Sequence, residues 1–311
     1  MQAQTRRVSL KKLKKVPAEM VKPLPIDEEP YPQPRNPDLP RMFWLWAMCG
    51  QRGSGKTQLA IRALLNYELC GFSDADGHDV PMRIVLFSPT YAANPAYKRL
   101  KTIDKGDVHE IYTDAALLKV MKETEEDRQA TRDYKKACVM WKRFQGLIRR
   151  DKDPLLLMPQ DDLKFLSAKT CGFQDEPQVP PHPHGRVTFL ILDDCLSSSA
   201  FSLNRQNRFS GHCCNSRHGW TNILVLSQRL KQLPPVVRAN LTVLSHWRLM
   251  STKILCEEVW PSVSQLLTED DFLTLFHTAT SANTFDCLTI DTTAEPGKTV
   301  KRNLNEIMTL Q

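Results

Sequence analysis

No apolar run in this chain approaches the roughly 20 residues needed to cross a bilayer. The N-terminus, although basic, lacks the apolar block of a secretory signal. A membrane-spanning or secreted protein is therefore not expected, and a soluble one is. None of the nine cysteines is spaced C-x-x-C, and the adjacent pair Cys213 and Cys214 is poorly placed to bridge itself. Free thiols in a reducing, intracellular setting follow as the expectation. His212, Cys213, Cys214 and His218 fit no zinc spacing. Internal repeats and a second apolar core are also missing, so one domain is predicted rather than two.

Charge of one sign is scarce except at one end. The chain carries a formal +7, of which residues 1–22 hold +6, from Arg6, Arg7, Lys11, Lys12, Lys14, Lys15 and Lys22 against Glu19. The remainder is almost neutral at +1. Attraction to nucleic acid or to an acidic partner must come from this arm or from local patches. Pro23, Pro25, Pro30, Pro32, Pro34, Pro37 and Pro40 then favour an extended segment lying over the domain or spacing the arm from it. With 41% hydrophobic residues among 311, the rest suffices for a substantial core.

What organises that core is Met42 to Thr57. An apolar run, Met-Phe-Trp-Leu-Trp-Ala-Met-Cys, passes directly into Gly50-Gln51-Arg52-Gly53-Ser54-Gly55-Lys56-Thr57. This is the phosphate-binding loop pattern G-x-x-x-x-G-K-[ST] between a strand and a helix. The glycines let successive backbone N–H groups point inward at phosphate oxygens, and the helix that starts near Gly55 and runs through Gln58 adds its positive end. Lys56 is expected to reach the β- and γ-phosphates and Thr57 to ligate Mg²⁺.

Further along, Arg83 to Phe87 reads as a strand closed by Ser88-Pro89-Thr90, and Tyr91 to Leu100 as a loop with a short helix. Val108 to Tyr112 is a candidate strand. Thr113 to Gly146 is a long helical region with mixed charge, taken as an insertion beside the core. The prolines of 151–186 point to an irregular surface loop. Val187 to Leu192 is a second buried strand, and it ends in Asp193 and Asp194. Opposite a phosphate loop, the first carboxylate serves the Mg²⁺ shell and the second orients the attacking water, which favours hydrolysis over binding alone. A third run, Asn222 to Leu226, ends at Ser227-Gln228, where Gln228 is placed to sense the γ-phosphate or help position water. A fourth run, Leu241 to His246, and helical patterns at Lys253–Trp260 and Val263–Phe276 complete the domain. Strands alternating with helices predict a three-layer α/β fold with a mainly parallel sheet. The boundaries are an arm over 1–40, a nucleotide-binding domain over 41–280 with an insertion at 113–186, and a polar appendage over 281–311.

The order of these motifs resembles a family. The phosphate loop, Phe-Ser-Pro-Thr after the second strand, Asp193-Asp194, Arg217-His218, Ser227-Gln228 and Leu-Pro-Pro-Val-Val-Arg-Ala-Asn are similar to those of the genome-packaging ATPases of large double-stranded DNA viruses and their transposon and virophage relatives. These form the poxvirus-type branch of the FtsK–HerA superfamily. The resemblance spans residues 41–249 and implies a P-loop NTPase of the RecA/ASCE-like kind that uses ATP and Mg²⁺. It further implies a homo-oligomeric ring, hexameric or pentameric, that threads duplex DNA into a preformed capsid beside a capsid or portal protein. Such work places it inside the host cell at the site of virion assembly, or with the virion. In that family Gln228 matches the glutamine sensor, and Arg217 is the candidate finger reaching a neighbouring subunit, with Arg238 as second choice. Other readings are a HerA-like cellular or mobile-element DNA pump or helicase, which the lack of a large N-terminal barrel disfavours, and a nucleotide-gated assembly scaffold. A small-molecule kinase would need an Arg-rich lid that is not evident.

Overall fold

Strands buried along their whole length must be covered on both faces, and the chain meets that demand with a central sheet between two layers of helix. The computed structural model describes residues 31–195, 197–202, 207–248 and 251–309. The basic stretch 1–22 lies outside the described residues. In chain order, β1 (Gln33–Pro34) and β2 (Leu45–Cys49) precede α1 (Lys56–Cys70), and β3 (Phe72–Ser73) and β4 (Asp79–Val80) precede β5 (Met82–Phe87). Next come β6 (Val108–His109), α2 (Asp114–Ile148), α3 (Pro154–Leu157) and α4 (Gln160–Lys169). They are followed by β7 (Val187–Asp193), α5 (Arg208–Asn215), β8 (Thr221–Ser227), α6 (Pro235–Ala239) and β9 (Val243–Trp247). The described chain closes with α7 (Thr252–Ile254), α8 (Glu269–Ser281), β10 (Cys287–Asp291), β11 (Val300–Arg302) and β12 (Glu306–Ile307).

Nine of these strands form one sheet in the order β12-β11-β10-β9-β2-β8-β7-β5-β6. The six from β9 to β6 run parallel, and β10, β11 and β12 add antiparallel pairings at one side. Because β8 lies between β2 and β7, their carboxyl ends fall side by side. Met48 pairs with Leu226, which pairs with Asp193, and Cys49 pairs with Ser227. The phosphate loop, Gln228 and the acid pair therefore leave the sheet at one edge. This is the three-layer P-loop NTPase arrangement.

Side chains alternate across the sheet as strand geometry requires. Leu45, Ala47 and Cys49 face one core, with Leu117, Phe209, Val237, Leu255, Phe272 and Phe276. Trp44, Trp46 and Met48 face the other, with Ala60, Ile61, Leu64, Tyr67 and Tyr97. The tryptophans also find polar partners: Trp44 Nε1 donates to Tyr67 Oη at 2.9 Å, and Trp46 Nε1 to Ser245 Oγ at 2.9 Å.

Three boundaries differ from the sequence reading. The polar stretch 281–311 is not an appendage. All five residues of β10 are buried, it pairs along the full length of β9, and Ser245 Oγ and Thr289 Oγ1 meet at 2.7 Å. Its polar look arises because the connecting turns between short edge strands dominate the composition. Second, the arm ends before residue 40. β1 pairs with β3, Leu39 is buried, and Tyr67 Oη donates to the Pro40 carbonyl at 2.9 Å, so residues 31–40 lie over the domain. Third, 151–186 is not all irregular. α4 buries Leu166 against Ala137 and Phe144 of α2 in a small separate core. α2 itself, roughly 52 Å long at 1.5 Å per residue, begins on the main sheet through Leu117 and Val120 and carries that small core on its far half. The insertion is thus a helical extension rooted in the domain.

If β10 belongs to the sheet, truncation after Ser281 exposes the whole edge of β9 and strips Leu288 and Ile290 from the core. The truncated chain is expected to aggregate or lose its cooperative thermal transition. A soluble product that melts like the full chain would contradict the assignment.

Candidate active site

Residues 50–57 turn away from the end of β2 in a loop whose backbone favours glycine at 50, 53 and 55. Gly50 N donates to Ser227 O at 3.1 Å, holding the loop's start to the sheet. A Cβ at Gly50 would meet Ser54 Oγ and Trp247 Cβ, each at 2.8 Å, so a side chain has no room there. Gly55 is left-handed at φ 96° and serves as the residue before α1, where Leu59 N donates back to its carbonyl at 2.9 Å. Gln51, Arg52, Gly53 and Gln58 are exposed around this bend. Ser54 is 92% buried by its 8% exposure, yet its Oγ has no hydrogen-bond partner. A buried hydroxyl left unmatched in a ring of turned-in backbone is what an anion-binding cradle supplies to its ligand.

Lys56 Nζ donates to the carbonyls of Gly50 and Gln51 at 2.8 and 3.0 Å, so its ammonium lies across the loop. Burial pulls its pKa down, and the nearby carboxylates of Asp194 and Asp193 oppose that. Thr57 Oγ1 lies 3.3 Å from Asp193 Oδ2, so the two residues predicted to share Mg²⁺ converge although they are 136 positions apart. Both offer hard oxygen donors, which suits this cation.

Asp193 ends β7 with 3% exposure. Burial raises its pKa. The Tyr97 and Thr57 hydroxyls and the Lys56 ammonium pull the other way, while Asp194 adds to the rise. Tyr97 Oη donates to Asp193 Oδ2 at 2.6 Å. Sequence reasoning missed this tyrosine. It sits in a short helix, Pro95–Arg99, that belongs to no shared motif, and only its place after a strand leading to the loop's edge hinted at it. Burial and Asp193 both drive the Tyr97 phenol pKa upward, so it stays a donor.

Asp194 is exposed and left-handed at φ 56°, which ends the strand and turns its carboxylate out of the sheet. Gln228 is exposed one residue beyond β8, beside the loop's anchor at Gly50. The turn that presents it is braced: Ser227 Oγ donates to Arg229 O at 2.8 Å, Arg229 N to Gln232 Oε1 at 3.0 Å, and Arg229 pairs with the buried Glu258 side chain. Lys56, Thr57, Asp193, Asp194 and Gln228 thus gather at one edge. Arg217 does not join them. It lies in the turn before β8, in a cleft with Phe43, Leu45 and Thr242 at the opposite edge, roughly 20 Å away along the strand. Arg238, on α6 ahead of β9, also lies toward that edge.

His212, Cys213, Cys214 and His218 bring no metal-ligand set together. Among the described residues, Asp74, His78 and His184 are the ones that gather. There the two imidazoles stack at 4.0 Å, and Asp74 Oδ2 lies 3.2 Å from each Nδ1, tying the β3–β4 turn to the segment entering β7. All nine cysteines are free thiols. No helix among the described residues is long and apolar enough to cross a membrane.

Tyr97→Phe removes one donor from a buried carboxylate, and a loss of about 1.5 kcal/mol in urea unfolding is expected at neutral pH. A stability indistinguishable from wild type would show that the hydroxyl does not support Asp193. The raised pKa of Asp193 also has a pH consequence. Its ionised form is disfavoured in the fold, so its contribution to stability is lost as pH rises from the usual aspartate range through the folded value. Mg²⁺ requires that ionised form. Its affinity should therefore fall on acidification while the pH is still above the usual aspartate pKa of about 3.9. Mg²⁺ titrations across pH 4 to 8 check this, and a flat affinity over that range would contradict it.

No family model matches the chain, and no curated protein matches it. Solved structures do. The genome packaging NTPase B204 from Sulfolobus turreted icosahedral virus 2, in complex with ATP-gammaS, is 13% identical over 88% of this chain and 100% of that one, with a TM-score of 0.44. EssC (ATPases 2 and 3) from Geobacillus thermodenitrificans is 12% identical over 94% of this chain and 48% of that one, with a TM-score of 0.42. The pCW3 conjugation coupling protein TcpA with ATPgS is 13% identical over 81% and 58%, with a TM-score of 0.35. The site described above rests on the chain's own residues and distances.

Proposed function

We propose that the protein is a Mg²⁺-dependent ATPase that drives double-stranded DNA, in a ring of identical subunits, into a viral capsid. The observation that carries the hydrolase part is the convergence of Thr57 on Asp193 across the loop, with the Lys56 ammonium near enough to feel both Asp193 and Asp194. The loop N–H groups and the Ser54 hydroxyl receive the phosphates. Lys56 leaves its two carbonyl partners for the β- and γ-oxygens. Thr57 and Asp193 would hold Mg²⁺, which when bound neutralises charge developing on those oxygens. Asp194, exposed and turned outward, positions the attacking water and accepts its proton, and Gln228 orients the same water from the adjoining strand end.

The DNA-packaging part rests on the sequence resemblance carried by Arg217-His218, Ser227-Gln228 and Leu233 to Asn240. The placement of Arg217 suits a role outside its own subunit, because it stands at the edge away from its own loop. In a ring it would stabilise the transition state next door, with Arg238 as the alternative. The basic residues of 1–22 would contact the DNA backbone, and the site of action would be where virions assemble in the host cell.

The test is ATP hydrolysis with and without linear duplex DNA, for wild type and Asp194→Asn. DNA is expected to stimulate turnover, and the substitution to lower it by about 100-fold or more with ATP binding retained. Nucleotide binding without turnover under either condition would instead favour a nucleotide-gated scaffold. Removing residues 1–22 should also flatten the salt dependence of DNA affinity, and an unchanged slope would take the arm out of the DNA contact.

A further inference from the structure

Thr57 meets Asp193 and Lys56 lies near it, so in the nucleotide-site reading the γ-end of the triphosphate lies there and the nucleoside must lie in a cleft beside the loop, away from Asp193. Two clefts adjoin the loop. One, of about 640 Å³, is lined by Gln51, Ser54, Trp247, Arg248 and His277 and is rimmed by cations and polar groups. The other, of about 670 Å³, lies on the outer side of α1 and is lined by Gly55, Gln58, Arg62, Phe285 and Asn305. Phe285 sets the second apart. The residue is 61% exposed, although the neighbouring Phe272, Phe276 and Trp247 are buried. It lies flush against the last glycine of the loop, where a Cβ on Gly55 would stand 3.3 Å from Phe285 Cδ1.

The backbone beneath this ring is pinned from both sides. Phe285 O accepts from Trp247 Nε1 at 2.9 Å, and Phe285 N donates to Asn283 Oδ1 at 3.2 Å. The next residue, Asp286, takes Arg302 at 2.7 Å and Asn303 Nδ2 at 2.9 Å, and Cys287 N donates to Asn303 Oδ1 at 3.1 Å. A solvent-facing aromatic on a fixed backbone costs apolar exposure and little ordering entropy when a flat ring is laid on it. From this geometry we infer that Phe285 is the stacking platform for the nucleobase of the triphosphate, with Gln58 and Asn305 at the cleft wall to meet its polar edge. The inference rests on the nucleotide-site reading above and gives residues 281–305 a part in that site. Stacking on an aromatic face is tolerant of base identity, so the ligand class is a nucleoside triphosphate rather than ATP alone.

The test compares ATP, GTP and inorganic tripolyphosphate, each with Mg²⁺, binding to the full chain, to Phe285→Ala and to Phe285→Trp. Phe285→Ala is expected to weaken ATP and GTP by roughly ten-fold or more, the range for loss of one base–aromatic stack. It should leave tripolyphosphate unchanged, while Phe285→Trp keeps the wild-type affinity for all three. Equal ATP affinity in wild type and Phe285→Ala overturns the platform and leaves the phosphate site standing. So does an equal loss for ATP and tripolyphosphate, which would mean that the ring only supports the loop. Failure of the wild type to bind any of the three strikes the nucleotide-site reading itself.

Discussion

Everything at the active edge depends on a single buried carboxylate. Asp193 sits at the end of an inner strand with almost no solvent, and three groups from two parts of the chain make that placement tolerable: the Tyr97 phenol, and the Thr57 hydroxyl and Lys56 ammonium from the phosphate loop. A carboxylate this deep is costly alone. Each neighbour is held by something else in turn: Thr57 by the helix that Gly55 starts, Lys56 by the loop carbonyls, Tyr97 by a short helix against α1. The predicted metal site is thus part of how the two halves of the parallel sheet agree on one position.

Sheet order supplies the rest. With β8 between the loop strand and the acid strand, a water placed by Asp194 would also be within the compass of the residue that ends β8, and that residue is Gln228. The same order sends Arg217 and Arg238 to the far edge. The chain holds most of the candidate hydrolytic site at one end of its strands and carries Arg217 and Arg238 toward the other. In the ring proposed above, copies related head to tail would bring one copy's arginine toward its neighbour's site.

Much of the site was legible in the sequence because its parts are strand ends. Apolar runs closing in Gly50, Asp193 and Gln228 announce both the strand and the direction in which it empties, and parallel pairing brings those ends together. Tyr97 was not legible, since one tyrosine in a loop carries no period or spacing. Phe285 was hidden for a related reason. The stretch after 281 is polar on average, and only pairing with β9 reveals that Cys287 to Asp291 is core strand and that the residue just ahead of it is fixed over the loop. The helix in 160–169 was obscured by the prolines that follow it, which shape the next segment instead. In each case the missing information was a long-range contact.

The most direct measurement is calorimetric ATP binding with and without Mg²⁺, for wild type and Asp193→Asn. Asparagine matches the carboxylate in size and can still accept from Tyr97, but it gives up the charge that would hold the cation. The account predicts that Mg²⁺ tightens ATP binding in wild type and has little effect in the variant, which keeps the Mg²⁺-independent affinity of the loop. A variant whose ATP affinity responds to Mg²⁺ as strongly as wild type would contradict it.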